Sequence, residues 1–450
     1  MMDDLEATAR RGVEAAISEG ASDADAWCER STSREIRVYD GEVESLSDAG
    51  SSGLGLRAFI DGRSGHAYGT DLSEEGVLAV AAAAQAAAAV ADPDEFGGLP
   101  EEPGVTEVEG LHSAVMAQWS NEDRVQLALA VERAARAREG VTQVENAVYS
   151  DSEGSAAIAS SRGLAASYEA TSAWAYASAF AGAGTDLMTG LGIGLGRDPG
   201  ALDPEAIGGE AAERALELVG ARRPSSRRCP VILDAFVAAS FAGIIGGMLS
   251  ADAVQRGRSL FAGREGQEVA GPAFVLADDG RHPEGPSSAP FDGEGSATRR
   301  TPLIEGGLLS GYLFDARTAR KAGRASTANA ARGSYRAPPA VGPSNLLLEP
   351  GEHDLERLVA QAGEGLYVTE VSGLHSGVNS VSGSFSVGAT GRLIEGGELG
   401  RPVREITIAG DLVEMLRDVR AVGAPGRWVP FGGSVKAAPV LIGEMAISGS

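Results

Sequence analysis

The amino-acid sequence predicts an α+β fold, with hairpin-and-helix units in the N-terminal half and a largely antiparallel β domain at the C-terminus. The chain has 450 residues, which is enough for several domains. Two Asp-Gly pairs, at residues 40–41 and 61–62, each separate two β-like segments, and this pair favours a two-residue hairpin turn. Predicted helices flank the hairpins in the first two units, whereas from about residue 274 to the end the pattern is mainly strand and turn.

The first predicted unit covers residues 1–100. Asp3 or Asp4 can cap an amphipathic helix at its start, and the two predicted hairpins follow. Ser73, with acidic Glu74 and Glu75 after it, predicts the start of an alanine-rich helix that stops near residue 92. The next segment, up to about residue 119, is rich in Pro, Gly and acidic residues without any period, which predicts a boundary between units.

The second predicted unit covers residues 120–222 and begins with a helix over about residues 122–139. In "SAWAYASAF" bulky residues alternate with alanine, which predicts a strand. The segment "GLGIGLG" has glycine at every second position from 190 to 196, which clears one strand face for close backbone packing. A phosphate cradle is the alternative, although it would need the G-x-G-x-x-G spacing. Asp203 and Pro204 predict the start of a further helix.

The third predicted unit covers residues 229–450 and begins with a buried strand, "CPVILD", followed by a helix that contains "SFAGIIGGMLS". Large apolar residues such as Phe241 and Ile245 recur there at helical spacing, as on a stripe that faces a core. The other side consists of small residues such as Gly246 and predicts close contact with another backbone. With about 17 residues between Asp234 and Asp252, the helix is too short for a regular membrane span.

Composition limits the classes of function. The chain has 38 Lys and Arg against 63 Asp and Glu, a net charge of −25, which disfavours binding to nucleic acid and to anionic membranes. Its two cysteines, Cys28 and Cys229, show no metal-binding or redox spacing. The acidic N-terminus lacks the basic and apolar regions of a secretion signal. The sequence therefore predicts a cytoplasmic protein.

Seven segments in a fixed order resemble the PmbA/TldE branch of the TldD/PmbA (TldD/TldE) metallopeptidase family, and the resemblance extends along nearly the whole chain. The segments are "VYDGEVESL", "GLGLRAFIDGRSGHAYGTDLS", "AVQRGRSLFAGREGQEVA", "FDGEGSATRRTPLIEGGLLSGYLFDARTARKAG", "SNLLLEPG", "GLYVTEVSGLHSGVNSVSGSFSVGATG" and "REITIAGDLVEMLRDV". The resemblance implies a two-lobed subunit of a zinc-dependent peptidase that processes leader peptides or degrades unfolded polypeptides.

In the TldD branch, the corresponding helix carries a His-Glu-x-x-x-His zinc motif, and a cysteine near the C-terminus supplies a further ligand. The resemblance places these motif positions at Ala242, Gly243 and Gly247, and the C-terminal segment "WVPFGGSVKAAPVLIGE" has no cysteine. Methyl groups and hydrogens cannot bind zinc. The resemblance therefore implies that this chain binds no zinc, that zinc lies on a TldD-like partner, and that the two chains form a heterodimer around unfolded peptides.

Further residues in the segments that match the family are candidates for contact with a peptide. They are Asp292, Glu294, Arg299, Arg300, Ser344 and Asn345. Donors among them could hold the carbonyl groups and the C-terminal charge of an extended peptide. The same side chains could instead tie loops of this chain together.

Two alternative functions remain open. The chain can be a peptide-binding or regulatory protein without protease activity that forms a homodimer when alone. In the other alternative, Asp278, Asp279, Asp292 and Glu294 gather as oxygen ligands for calcium or magnesium and support a stand-alone hydrolase, although the calcium-loop pattern is absent.

Overall fold

The computed structural model of the chain describes residues 2–430 and 433–449. The α-helices within these ranges are α1 Met2–Ser18, α2 Glu74–Val90, α3 Asn121–Arg136, α4 Pro204–Leu216, α5 Ala235–Met248, α6 Ala251–Gln255, α7 Ala316–Ala322, α8 Leu355–Ala362, α9 Leu374–Gly377 and α10 Leu412–Arg417. The strands up to the start of α5 are β1 Asp23–Tyr39, β2 Glu42–Ile60, β3 Arg63–Gly69, β4 Val141–Ser160, β5 Ala165–Ala181, β6 Met188–Gly196 and β7 Arg227–Leu233.

The strands that follow α5 are β8 Leu276–Asp279, β9 Arg300–Glu305, β10 Leu308–Leu309, β11 Ala330–Ala331, β12 Ala340–Val341, β13 Leu346–Leu348, β14 Gly365–Ser372, β15 Ser384–Glu395, β16 Glu398–Asp411, β17 Val419–Val422, β18 Arg427–Val429, β19 Val435–Ala437 and β20 Val440–Ser448. Most of these strands are short, and β15 and β16 are the longest of them.

The N-terminal half is built on one antiparallel sheet of six strands in the order β3-β2-β1-β4-β5-β6. The predicted hairpin turns are confirmed, because both residues of each Asp-Gly pair have positive φ: 52° and 79° at Asp40 and Gly41, 48° and 73° at Asp61 and Gly62. The sheet continues across the segment at residues 92–119, since β1 pairs with β4. The first two predicted units therefore share a sheet.

Helices cover this sheet, and side-chain caps fix their starts. Ser73 accepts a hydrogen bond from the Gly76 amide at the start of α2, and Asp203 accepts from two amides at the start of α4. α4 lies directly on β6, because a Cβ at Gly192 would overlap the carbonyl oxygen of Ile207. The predicted close packing on the glycine face of "GLGIGLG" is thus confirmed.

The C-terminal half contains two further six-stranded sheets. One has the order β10-β9-β8-β13-β19-β18, and the other has the order β16-β15-β14-β7-β20-β17 with an additional pairing of β16 with β20 that closes a ring. Apart from the parallel pairs β13–β19 and β14–β7, their strands pair antiparallel. α5 contacts strands of both sheets and lies between them. The predicted α+β class with a largely antiparallel C-terminal domain is confirmed.

Neither cysteine is oxidised, since Cys28 and Cys229 are both buried free thiols. Burial raises the pKa of the Cys28 thiol to about 12, so this thiol stays protonated. No helix among the described residues has the length and apolar character needed to cross a membrane.

A matched pair of glycine variants tests the packing of α4 on β6. Gly192→Ala places a methyl group against backbone, so we expect the free energy of unfolding to fall by about 1 to 3 kcal/mol. Gly247→Ala enters open space on α5, so we expect it to gain up to about 1 kcal/mol from helix propensity. Urea denaturation followed by circular dichroism measures both, and equal effects of the two variants would contradict this packing.

Candidate functional site

α5 starts immediately after the buried strand β7. The Asp234 carboxylate accepts a hydrogen bond from the Phe236 amide at 2.9 Å and so caps the helix. The large stripe predicted from the sequence is buried, with Phe241 and Ile245 in the main core of the C-terminal half. On the small side, Gly246 packs closely within this chain, because a Cβ there would overlap the Leu346 side chain. The small residue therefore makes room, at this position, for a side chain of the same chain, whereas the sequence predicted contact with a backbone.

The three positions that the family resemblance aligns with the zinc motif have different surroundings. Ala242 is 2% exposed and faces the core. Gly243 is half-buried, whereas Gly247 is exposed with open space where a Cβ would be. Gly243 and Gly247 belong to an outward stripe with Ser240 and Ile244, since these residues recur at the spacing of one helical face. No side chain on this stripe can act as a ligand for zinc.

A buried polar network connects the start of α5 with α4 and β14. The Arg214 guanidinium donates to Asp234 at 3.1 Å and to the Thr369 carbonyl at 3.0 Å, and the Tyr367 hydroxyl donates to Asp234 at 2.6 Å. Burial alone would lower the pKa of Arg214, but the Asp234 carboxylate outweighs it and raises that pKa. Burial and the same carboxylate raise the pKa of Tyr367, so its hydroxyl remains a donor.

Above this network lies a cavity of about 290 Å³ between the middle unit and the C-terminal half. Its walls come from β6, α4, α5 and β14. The lining residues are Thr189, Gly190, Leu191, Arg214, Glu217, Leu218, Phe236, Val237, Ser240, Tyr367, Thr369, Glu370 and Val371. Its charged lining residues are Arg214, Glu217 and Glu370, and it lies beside the outward stripe of α5. We call it the α5 cavity.

The acidic candidates are structural parts of the interior. Asp292 is 7% exposed and accepts three hydrogen bonds, from the amides of Glu294, Ser296 and Ala330. Glu294 is 3% exposed and accepts from Arg57 at 3.0 Å. Burial and the Glu294 carboxylate raise the pKa of Asp292. Both carboxylates are therefore engaged in contacts that hold the loop around residues 292–296 in place.

Ser344 and Asn345 are also bonded within the chain. Ser344 donates through its amide and its hydroxyl, both at 2.7 Å, to Asp278, which is fully buried. Burial raises the pKa of Asp278 to about 6, against the lowering effect of these hydrogen bonds. Asn345 is fully buried and donates to the Asp279 carbonyl and to the Ser288 hydroxyl. The two residues therefore tie neighbouring loops together.

The six candidates do not form one groove. Asp292 and Ser344 line a shared cavity of about 230 Å³ together with Trp27. Arg299 and Arg300 are exposed and do not line this cavity, and Arg300 is paired with a surface glutamate. Among the residues that the structure describes, no three His, Cys, Asp or Glu side chains are placed to hold a metal ion.

Sequence reasoning missed the charged and tyrosine residues of the α5 cavity. Tyr367 and Glu370 lie in "GLYVTEVSG", one of the segments that resemble the family, and this match was the available signal. No sequence pattern pointed to Arg214 as a cavity residue. It is one of several charged residues on α4, and its partners lie 20 and 155 residues further along the chain.

The role of Asp234 can be tested by Asp234→Ala. This change removes the helix cap and leaves Arg214 without its carboxylate, so we expect the free energy of unfolding to fall by about 3 to 5 kcal/mol. Asp252→Ala is the control: its exposed pair with Arg256 contributes at most about 1 kcal/mol. If the two variants unfold at the same urea concentration, the network does not stabilise this junction.

The chain matches three domains of one family. PmbA/TldA metallopeptidase domain 1 matches residues 24–91, the central domain matches residues 116–219, and the C-terminal domain matches residues 226–449. These matches confirm the resemblance seen in the sequence.

Individual relatives agree with this result. Metalloprotease PmbA of Escherichia coli O157:H7 is 28% identical over 437 residues, which cover 96% of this chain and 94% of that protein. A solved structure from Thermotoga maritima, described as a suggested modulator of DNA gyrase, has a TM-score of 0.89 at 28% identity and covers 98% of this chain and 100% of that one. TldE from Thermococcus kodakarensis has the same fold, with a TM-score of 0.90 at 23% identity over 99% of this chain and 100% of that one. The chain therefore belongs to the PmbA/TldD metallopeptidase family, with a PmbA relative along nearly its whole length.

Proposed function

We propose that this chain is the non-catalytic PmbA/TldE-type subunit of a cytoplasmic, zinc-dependent peptidase that processes or degrades unfolded peptides. Its partner is a TldD-like catalytic subunit, which holds the zinc. The name metalloprotease, given to the Escherichia coli relative, supports proteolysis as the activity of the assembly.

One observation carries the proposal: the surface of α5 has no group that binds metal. Ala242, Gly243 and Gly247 stand where the TldD branch has His, Glu and His. Gly247 has room for a side chain, so the ligand is missing there although the space is present. Ala242 is packed in the core, so a histidine at this position would require the core to repack.

The proposal divides the work between two chains. When bound, zinc on the partner supplies an activated water for hydrolysis. This chain contributes wall and positioning contacts for an extended peptide. Of the six candidate residues, Arg299 is exposed, and Arg300 is exposed but paired with Glu349, whereas Asp292, Glu294 and Asn345 are buried.

A second function, a peptide-binding or regulatory homodimer without protease activity, has a distinct signature. Such a protein would bind an unfolded peptide equally well with and without a TldD-like chain. Light scattering gives the oligomeric state of the pure chain, and affinity purification of a tagged TldD-like chain from the mixture shows whether the two chains form a complex.

We expect cleavage of an unstructured, fluorescently labelled peptide only when this chain and a TldD-like partner are mixed. Each chain is assayed alone and in the mixture, and turnover is followed by fluorescence. The matched control is a partner whose first motif histidine is replaced by alanine, because it removes the zinc ligand and leaves this chain intact. Turnover by this chain alone would refute the non-catalytic role.

If this chain alone cleaves the peptide, Asp292→Ala tests whether it is a stand-alone hydrolase, because that hydrolase would lose its divalent-metal-dependent activity with this change. In the subunit function, Asp292→Ala disrupts a loop and lowers stability, since three backbone amides lose their acceptor. Thermal unfolding of the variant reports that loss independently of activity.

We expect the purified chain to contain zinc well below one equivalent after exposure to zinc and desalting. In the mixed complex, the molar amount of zinc should equal the molar amount of the partner chain. Elemental analysis of both samples measures this, and one equivalent on the pure chain would contradict the assignment of zinc to the partner.

A further inference from the structure

A second cavity lies between the middle unit and the C-terminal half, on the opposite end of β6 from Thr189 and Gly190 of the α5 cavity. Its volume is about 510 Å³. Strands β5 and β6 supply one wall, and the loop at residues 283–286 and β18 supply the other. The lining residues are Ser172, Ala173, Trp174, Leu195, Gly196, Arg197, Pro283, Glu284, Pro286 and Trp428. We call it the tryptophan cavity.

Two of the four tryptophans of the chain line this cavity, and both are half-buried. Trp174 stacks on Tyr176 with ring centroids 5.9 Å apart. The rings of Trp428 and His282 are nearly perpendicular with centroids 5.2 Å apart, and the Lys436 ammonium lies 5.6 Å from the Trp428 ring centroid. The rings are therefore held by neighbours while part of their surface faces the cavity, as in a preformed apolar site.

Arg197 gives the tryptophan cavity a positive charge. Its guanidinium donates to the carbonyls of Thr171 and Gly285, at 3.4 and 2.6 Å, and its Nε is buried without a hydrogen-bond partner. Within the described residues it forms no ion pair with a carboxylate, in contrast to the buried Arg57 and Arg124. Burial lowers the pKa of Arg197, because the guanidinium loses water and gains no opposite charge.

The acidic residue of this cavity does not neutralise Arg197. The Glu284 carboxylate is bound to the Lys436 ammonium at 2.9 Å. A guanidinium with donors to spare is thus placed beside tryptophan, proline and leucine side chains in a chain whose net charge is −25. An anion attached to an apolar group matches both features.

We propose that the tryptophan cavity binds the carboxyl terminus of a peptide whose last residue is apolar. The terminal carboxylate pairs with Arg197, and the last side chain packs against Trp174 and Trp428. A C-terminal residue satisfies the site because its carboxylate and its side chain leave the same Cα. The inference rests on the proposed function in that peptides are taken as the ligands, and it adds which end of the peptide is recognised.

The first test uses the unmodified full-length chain and short, N-acetylated Gly/Ser-rich peptides. One peptide ends in Leu as the free acid, the second is its C-terminal amide, and the third ends in Ser as the free acid. Isothermal titration calorimetry should give the tightest binding for the free acid ending in Leu, with the amide weaker by about ten- to hundred-fold. Equal affinity for the acid and the amide, or no binding, would overturn the proposal.

Variants then locate the site. Arg197→Gln should weaken binding of the free acid to the level of the amide, and it should leave binding of the amide unchanged. Arg258→Gln is the matched control, because Arg258 is exposed and does not line the cavity. Trp428→Leu should remove the preference for Leu over Ser while the preference for the acid persists. A free acid that binds Arg197→Gln as tightly as the unmodified chain would place the binding elsewhere.

The two proposals can fail separately. Peptide cleavage by the mixed chains, together with equal binding of acid and amide, would refute the tryptophan cavity as a site and leave the subunit function standing. Arg197-dependent binding without cleavage in any mixture would support the cavity and refute the peptidase subunit.

Discussion

The carboxylate of Asp234 is the contact on which the arrangement of the C-terminal half depends. It caps α5, binds Arg214 of α4 and accepts from Tyr367 of β14, so three elements from two parts of the chain meet at one side chain. A buried carboxylate is costly unless it is paired and hydrogen-bonded, and here both requirements are met. The helix start, the wall of the α5 cavity and the junction with the middle unit are therefore fixed together.

The position of α5 between two sheets is stabilised by apolar packing and does not depend on a bound metal. Its burial comes from Phe241, Ile245 and their neighbours, which are independent of any metal. Gly246 allows close approach of Leu346, so the small residues also contribute to packing. The chemistry of the outward stripe and the stability of the helix are thus separate properties of one segment.

Local features of the fold were predictable because short-range rules determine them. The Asp40-Gly41 turn follows from residues that tolerate positive φ, and the glycine face of β6 follows from its period of two. The continuous sheet through β1 and β4 was not predictable, since this pairing joins residues more than a hundred positions apart. The shared carboxylate of Arg214 and Tyr367 was not predictable either, because Tyr367 lies 133 positions from Asp234. Two of the amides that bind Asp292 are its near neighbours in the chain, but its burial depends on the tertiary fold, which its sequence position does not reveal.

The two cavities at the junction of the middle unit and the C-terminal half differ in how their arginines are used. Arg214 enters the α5 cavity with its charge already matched by Asp234, so that cavity has no net need for an anion. Arg197 enters the tryptophan cavity with only carbonyl partners, which satisfy hydrogen bonds but leave the charge uncompensated. A buried charge gains most from a partner of opposite sign, and this is the physical basis for proposing an anionic ligand in the tryptophan cavity. A subunit that holds one end of a peptide in this cavity would position the rest of the peptide for a partner's active site without any catalytic group of its own.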